Sequence, residues 1–244
     1  MRIKDLYNFL DKVSPFELQE KWDNSGLIVG NMEDEFHKVY ISLDLDEKML
    51  EDIENNSLIL THHPLIFSPL QTINYDSYST KLLQILIKKD IKLISMHTNI
   101  DKTHLNMYVA TQILGLDAKC DEDFICYANV DMSMNKLQQL VKEKLNLDFI
   151  KNVKCKDNIT KIALTTGAGM SLISKIKADC FLTGDIKYHD AMEAQSRNIG
   201  LIDIGHYESE QYFSPLLMGL IEKYLLKYEI KAIIKASQNP FSYK

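Results

Sequence analysis

The chain has 244 residues, of which 45% are apolar and 25% charged, a composition typical of a globular protein. Its formal net charge of −6 at pH 7 argues against bulk nucleic-acid binding, because a protein that neutralises many phosphates is normally basic. The four cysteines never take the C-x-x-C spacing of a zinc ribbon or redox pair, so we expect reduced thiols. No stretch reaches the roughly 18 consecutive apolar residues of a membrane span, and charges interrupt the N-terminal apolar residues, unlike a signal peptide. We therefore expect a cytoplasmic protein with no membrane partner.

The first half of the chain has the pattern of alternating helices and strands. Leu6, Phe9, Leu10 and Val13 recur at spacings of three and four, which predicts an opening amphipathic helix that stops near Pro15. Further elements are predicted as a strand at 27–30, a strand at 39–45, a helix at 47–55, a strand at 57–61, a helix at 79–89, a strand at 91–95 and a helix at 104–114. Such an alternation is typical of a mainly parallel sheet with helices on both faces.

A polar, acidic stretch at residues 117–123 separates this series from a second one. The second series is predicted as strands at 125–130, 161–166, 180–184 and 200–205, with helices at 135–145, 171–176 and 189–197, followed by a long helix at 212–228 and a strand at 230–236. The expected fold is α/β, with two similar lobes at residues 1–122 and 123–204. A C-terminal segment at 205–244 is expected to pack back on the first lobe.

Side chains able to bind a metal follow three of the predicted strands, where ligands collect in open α/β sheets. They are His62 and His63 after the strand at 57–61, His97 and Asp101 after the strand at 91–95, and His206 and Glu210 after the strand at 200–205. Imidazole and carboxylate ligands suit Zn, Mn, Fe, Co or Ni, and this supply exceeds what one tetrahedral ion needs. The pattern therefore favours a dinuclear site of divalent ions whose identity is left open.

The spacing of the last two candidates adds detail to this hypothesis. His206 and Glu210 lie four residues apart, so on a helix they share one face, and Glu210 could bridge two ions. The alternative for any single histidine is a hydrogen-bonded residue of the core or surface. Three coinciding strand ends favour the metal, because buried ionisable groups without partners are costly.

Five segments of the chain resemble those of one known family. The segments are WDNSGL at 22–27, THHPL at 61–65, HTNID at 97–101, TGDIKYHDA at 183–191 and GHYESE at 205–210. They are similar to the Nif-three-like family, whose members are usually labelled GTP cyclohydrolase I type 2 homologues. The resemblance spans residues 22 to about 215 and implies a dinuclear metal site in a cleft between two α/β lobes, closed by the C-terminal segment. It also implies a toroidal homohexamer, and this chain is expected to lack the third domain inserted in longer members.

Carried over by position, the resemblance also assigns individual residues. The implied metal ligands are His62, His63, Asp101, His206 and Glu210. His97 resembles a residue near the metals. Lys187 and His189 resemble the wall of the pocket, where a basic or proton-transferring group would face the substrate, and they are the predicted catalytic residues.

Two features have two interpretations each. The turn Gly167-Ala168-Gly169 precedes a predicted helix and could present amide groups to a phosphate, or be a tight turn between strand and helix. Trp22 could stack on a base, although a tryptophan beside a short strand is more often a packing anchor, which we favour.

Two adjacent divalent ions favour hydrolysis, because together they can activate water and stabilise both the attacking and the leaving oxygen. The expected function is a dinuclear-metal-dependent hydrolase that acts on a nucleotide or related small anionic substrate. For GTP, the resemblance implies opening of the purine imidazole ring at C8 with release of formate. The alternatives are a metal-dependent phosphoesterase and a non-catalytic, metal-binding hexameric partner protein.

Overall fold

The computed structural model describes residues 1–121 and 123–242, which form two compact units. The first unit comprises Met1–Ile100 and Phe213–Pro240, and the second comprises Asp101–Tyr212 with residues 241 and 242. Each unit has its own sheet flanked by helices, which confirms the predicted α/β class, and no third domain is found in the described part of the chain. The predicted boundary at residue 122 lies outside the described residues, and the three-part division stays a prediction.

Eleven strands form the sheets of the described residues. They are β1 (Gly26–Val29), β2 (Lys38–Ser42), β3 (Leu58–Thr61), β4 (Lys92–Ser95), β5 (Ala118–Cys120), β6 (Cys126–Ser133), β7 (Lys151–Val153), β8 (Asn158–Leu164), β9 (Cys180–Thr183), β10 (Gly200–Asp203) and β11 (Lys231–Ile234). The strands β5 and β7 were not predicted, because both are only three residues long.

Helices account for most of the remaining regular structure. The α-helices of five or more residues are Ile3–Val13, Glu47–Glu51, Tyr78–Lys88, Met134–Leu145, Tyr188–Ser196, His206–Glu210 and Phe213–Leu226. A continuous helical run at 98–113 alternates α turns (Thr98–Ile100, Asn106–Tyr108) with π turns (Asp101–Leu105, Val109–Ile113), and short 3-10 segments lie at Phe16–Leu18 and Gly169–Lys175. Among the described residues, none of these helices combines the length and the apolar character that a membrane crossing requires.

The sheet of the first unit has the strand order β1-β4-β3-β2-β11. The β4-β3, β3-β2 and β2-β11 pairs are parallel, and β1 runs antiparallel to β4. Every residue of β3 and β4 is buried, which explains the nearly continuous apolar sequence of β3. Because Thr61 pairs with Ser95 in register, the residues that follow β3 and β4 leave the sheet at the same edge.

The sheet of the second unit has the order β5-β6-β8-β9-β10-β7 and is more mixed than predicted. The β8-β9 and β9-β10 pairs are parallel, whereas the other three pairs are antiparallel. The difference arises because β5, β6 and β7 are added at the edges of the β8-β9-β10 core. Phe181, Leu201 and Ala163 pack in the buried cluster of this unit with Ala194 of the helix Tyr188–Ser196.

The expectation of four reduced thiols is wrong for one pair of cysteines. Cys120 and Cys126 are direct partners in the antiparallel β5-β6 pair and form a disulfide. Cys155 and Cys180 are free thiols, and burial raises the pKa of Cys180 above its usual value. The pairing of Cys120 with Cys126 depends on β5, which the sequence pattern did not reveal.

Candidate metal centre

Three histidines of the first unit converge where β3 and β4 end. The ring centroids of His62 and His63 are 4.9 Å apart, those of His62 and His97 5.1 Å, and those of His63 and His97 5.5 Å. One ligating nitrogen from each of the three lies within 4.8 Å of the others. The backbone turns sharply at this point, since the amides of both His62 and His63 donate to the carbonyl of Leu43 at 3.2 Å. These three residues are called the histidine cluster below.

Each ring in the histidine cluster is oriented through the same nitrogen. Nδ1 of His62 donates to the carbonyl oxygen of Met96 at 2.9 Å, and Nδ1 of His63 donates to Oδ1 of Asp44 at 2.8 Å. Nδ1 of His97 donates to Oδ1 of Asp23 at 2.7 Å. Metal-binding histidines characteristically donate their other ring N–H to a carboxylate or carbonyl, which fixes the tautomer. Nε2 is therefore the nitrogen through which a metal would be bound.

Asp23 connects the histidine cluster to the start of the helical run at 98–113. Its side chain is fully buried and accepts hydrogen bonds from the hydroxyl of Ser25 at 3.1 Å, from the amide of Thr98 at 3.1 Å and from the hydroxyl of Thr98. Burial raises the pKa of Asp23, but three lowering causes outweigh it and hold the pKa below the usual range: the hydrogen bond and charge of His97, the hydrogen bond of the Thr98 side chain and that of the Asn24 backbone. Asp23 is therefore a carboxylate that holds the orientation of His97.

The second unit contains a second group of potential ligands. Nε2 of His206 lies 3.0 Å from Oε2 of Glu210, as expected for residues four apart on the helix His206–Glu210. A carboxylate oxygen of Asp101 lies within 4.8 Å of one of Glu210, and Glu210 is only 3% exposed. Nδ1 of His206 donates to Oδ2 of Asp185 at 2.7 Å, which repeats the arrangement of the histidine cluster. Asp101, His206 and Glu210 are called the carboxylate cluster below.

The turn after β8 is built closely around Glu210. Gly167 has φ +61°, and a Cβ atom added there would lie 2.0 Å from Oε1 of Glu210. The amide of Gly167 donates to the hydroxyl of Ser209 at 3.0 Å, and that of Gly169 donates to the hydroxyl of Thr183 at 2.8 Å. Because both amides already donate to side-chain hydroxyls, the structure favours the tight-turn interpretation of this loop over phosphate binding.

The two predicted catalytic residues lie at the start of the helix Tyr188–Ser196. The side chains of Lys187 and His189 are both exposed, and the amide of Lys187 donates to Oδ2 of Asp190 at 3.1 Å. Lys187 follows Asp185, the partner of His206, by two residues. The catalytic roles of Lys187 and His189 stay predictions.

Trp22 does not act as the packing anchor that we favoured. Its side chain is 57% exposed, and its ring meets the rings of Phe67 and His97 at centroid distances of 5.8 Å and 6.1 Å. Trp22 thus borders the histidine cluster while remaining open to solvent.

The residues of both clusters fit divalent transition metals. Neutral imidazoles with a fixed tautomer and carboxylate oxygens are the ligands that Zn, Mn, Fe, Co and Ni take in proteins. The sequence interpretation missed the three carboxylates that orient the histidines, Asp23, Asp44 and Asp185. Asp23 and Asp185 stand inside the segments WDNSGL and TGDIKYHDA, and Asp44 follows β2. Their position inside these segments is the signal that could have identified Asp23 and Asp185, whereas no sequence signal pointed to Asp44.

Comparison with known proteins identifies the family of the chain. The family model described as Duf34/NIF3 (NGG1p interacting factor 3) matches residues 1–240. A Campylobacter jejuni protein named GTP cyclohydrolase 1 type 2 homolog is 47% identical over 244 residues, which cover all of both chains. The Helicobacter pylori protein named GTP cyclohydrolase 1 type 2 is 41% identical over 91% of this chain and 92% of its own. The crystal structure of Staphylococcus aureus protein SA1388 matches with a TM-score of 0.86 and 26% identity, over 100% of this chain and 99% of that one. The chain therefore belongs to the Duf34/NIF3 family.

Proposed function

We propose that this protein is a metal-dependent hydrolase with two divalent ions held by His62, His63, Asp101, His206 and Glu210. The observation that carries the proposal is the shared orientation of the histidines. Nδ1 of each candidate ligand histidine donates to a carboxylate or a backbone carbonyl. Metal-binding histidines characteristically share this arrangement, because the bond at Nδ1 fixes the tautomer and leaves Nε2 for the metal.

The residues around the ligands have separate roles in this proposal. Asp44 and Asp185 keep His63 and His206 in the tautomer that presents Nε2. Glu210 is almost completely buried, and a buried carboxylate is costly unless its charge is compensated. Bound divalent ions would supply that charge and the Lewis acidity that lowers the pKa of water. His189 is the proposed proton-transfer group, and Lys187 the proposed cationic contact for an anionic substrate.

The proposed substrate is a nucleotide or a related small anionic molecule. Support comes from the relatives named GTP cyclohydrolase 1 type 2 and GTP cyclohydrolase 1 type 2 homolog, which cover most or all of this chain. With GTP, hydrolysis would open the imidazole ring of the purine at C8 and release formate. The same ligand set could direct water to phosphorus, in which case the product would be phosphate.

We also propose that the protein is a cytoplasmic, toroidal homohexamer. The family resemblance suggests this assembly, and one exposed segment of the first unit supports self-association. The segment includes Leu70, Ile73 and Tyr75, which are 38%, 61% and 48% exposed. Large apolar side chains that cluster on a surface are typical of interaction sites.

The test combines metal analysis with a substrate screen. Protein purified without chelator is analysed by elemental mass spectrometry and assayed with GTP, other nucleotides and phosphoesters for formate and phosphate. Two ions per chain and metal-dependent formate release are expected. Phosphate without formate would replace the cyclohydrolase with a phosphoesterase. Two bound ions without turnover of any compound would contradict the hydrolase and favour the non-catalytic partner protein.

A variant of His189 tests the catalytic assignment separately. The expected result for His189→Ala is retention of both ions and of the assembly, with turnover of the substrate found in the screen reduced by about 10²- to 10⁴-fold. Turnover close to that of the wild type would assign His189 to structure. Loss of metal together with activity would place it among the ligands instead.

A further inference from the structure

We infer that Trp22 and Phe67 form an aromatic subsite beside the histidine cluster that takes a planar heteroaromatic ring, such as a purine. This subsite deepens the proposed function, on which its role in substrate recognition rests. The two ring centroids are 5.8 Å apart, with an angle of 47° between the rings. Trp22 is 57% exposed and Phe67 is 49% exposed, so both offer ring surface to a ligand.

Both rings of the aromatic pair pack against His97 of the histidine cluster. The ring of His97 meets Trp22 and Phe67 edge-on, with centroid distances of 6.1 Å and 6.3 Å and angles of 74° and 75°. Aromatic rings stack or pack edge-to-face with centroids roughly 4.5–7 Å apart. A ring stacked on Trp22 at up to roughly 7 Å would lie within about 13 Å of the ring of His97, because the centroids of Trp22 and His97 are 6.1 Å apart.

The backbone on either side of the pair is held in place before any ligand binds. The side chain of Asp23, the residue after Trp22, is buried and hydrogen-bonded to His97 and Thr98. Nδ2 of Asn24 donates to the carbonyl of Ile66, directly before Phe67, at 2.5 Å. These bonds link the loop carrying Trp22 to the segment carrying Phe67. Binding therefore costs little ordering of the backbone, which favours a preorganised ligand site.

The chemistry of the pair favours a flat ring over other occupants. Stacking of a base on an aromatic side chain uses the π-face that every heterocyclic base has, and it tolerates differences in hydrogen-bonding edges. An aliphatic ligand would gain apolar burial but no stacking. A second copy of the chain could also cover Trp22, and the experiment below separates that occupant from a nucleoside.

The sequence allows a direct measurement, because Trp22 is the single tryptophan of the chain. The metal-loaded protein is titrated with guanosine while tryptophan emission is recorded, and ribose 5-phosphate serves as the ligand without a base. We expect saturable quenching by guanosine and none by ribose 5-phosphate. Phe67→Ala should raise the Kd for guanosine by roughly 5- to 150-fold. Tyr228→Ala, which removes an equally exposed aromatic ring from the same unit, should leave the Kd unchanged.

Three results would overturn the subsite. They are the absence of saturable quenching at millimolar guanosine, equal quenching by ribose 5-phosphate, and protection of Trp22 from acrylamide in the protein without ligand. The last result would show that a second copy of the chain covers Trp22. The quenching needs no turnover, so a protein that binds guanosine but hydrolyses nothing would contradict the proposed function and leave the subsite standing.

Discussion

Replacing Gly167 with alanine tests whether the turn after β8 is shaped by the carboxylate of Glu210. The added Cβ would lie 2.0 Å from Oε1 of Glu210, which is 1.4 Å less than the 3.4 Å at which ordinary contact begins. It would also lie 3.4 Å from Nε2 of His206, at the limit of ordinary contact. The carboxylate must therefore shift by more than an ångström, whereas His206 can stay in place.

The expected magnitude has two parts. A non-glycine residue at φ +61° costs about 1–2 kcal/mol of stability, which corresponds to a fall in Tm of roughly 2–8 °C for a chain of this size. The displaced carboxylate is the end of a flexible side chain, so its movement adds little to that cost. Its effect is on metal binding, where disturbance of a ligand's surroundings typically lowers affinity by about 10- to 100-fold.

A matched control separates the effect on metal binding from the effect on stability. Gly115 also has a positive φ, +72°, but a Cβ added there would meet no atom within 4 Å. Metal retention is measured by elemental mass spectrometry after dialysis against graded chelator, and Tm by calorimetry. Both variants should lose similar stability, and only Gly167→Ala should lose metal at low chelator concentration. Equal metal retention in Gly167→Ala and Gly115→Ala would refute the reasoning.

Three further predictions concern metal content, stability and assembly. Glu210→Ala should lower metal content more than Glu208→Ala, because only residue 210 shares the helix face of its partner histidine; equal losses would contradict the ligand assignment. Burial raises the pKa of Asp179, but hydrogen bonds from Lys156 and Thr160 outweigh the effect of burial and hold the pKa below its usual range. The ionised Asp179 therefore stabilises the fold above about pH 4, and this stabilisation is lost as the pH falls through the lowered pKa. Asp179→Asn should therefore cost about 1.5–3 kcal/mol at pH 7 in urea unfolding, and a difference from the wild type that persists undiminished at pH 2 would refute this. Light scattering should give six times the chain mass of 28.2 kDa, and the mass of one chain would exclude the hexamer.

The sequence predicted the parts of the candidate site that depend on local pattern. The apolar run of β3 predicted a buried strand, and the alternation of strands with helices predicted parallel pairing. The common edge of β3 and β4 brings His62, His63 and His97 together. The i,i+4 spacing predicted that His206 and Glu210 share a helix face, and their side chains are 3.0 Å apart. Both are consequences of regular geometry, which the period of the sequence reports directly.

The features that were missed depend on contacts between distant residues. The helical run was expected to begin at residue 104 but begins at Thr98, because Asp23, 75 residues earlier, accepts the hydrogen bond of the Thr98 amide. Asp44 and Asp185 reach their histidines across 19 and 21 residues. No local pattern encodes such partners, and the exposure of Trp22 likewise depends on how distant segments fold around it.

The central claim is that the proposed ligands bind metal through the Nε2 atoms of three oriented histidines and through two carboxylates. Anomalous diffraction from crystals of protein purified without chelator, recorded at the absorption edge of the metal found by elemental analysis, tests it most directly. The account predicts two anomalous peaks per chain, in contact with Nε2 of His62, His63 and His206 and with the carboxylates of Asp101 and Glu210. Nδ1 of each histidine should keep its present acceptor. Peaks away from these residues, or ligation through Nδ1 with the bonds to Asp44 and Asp185 broken, would contradict it.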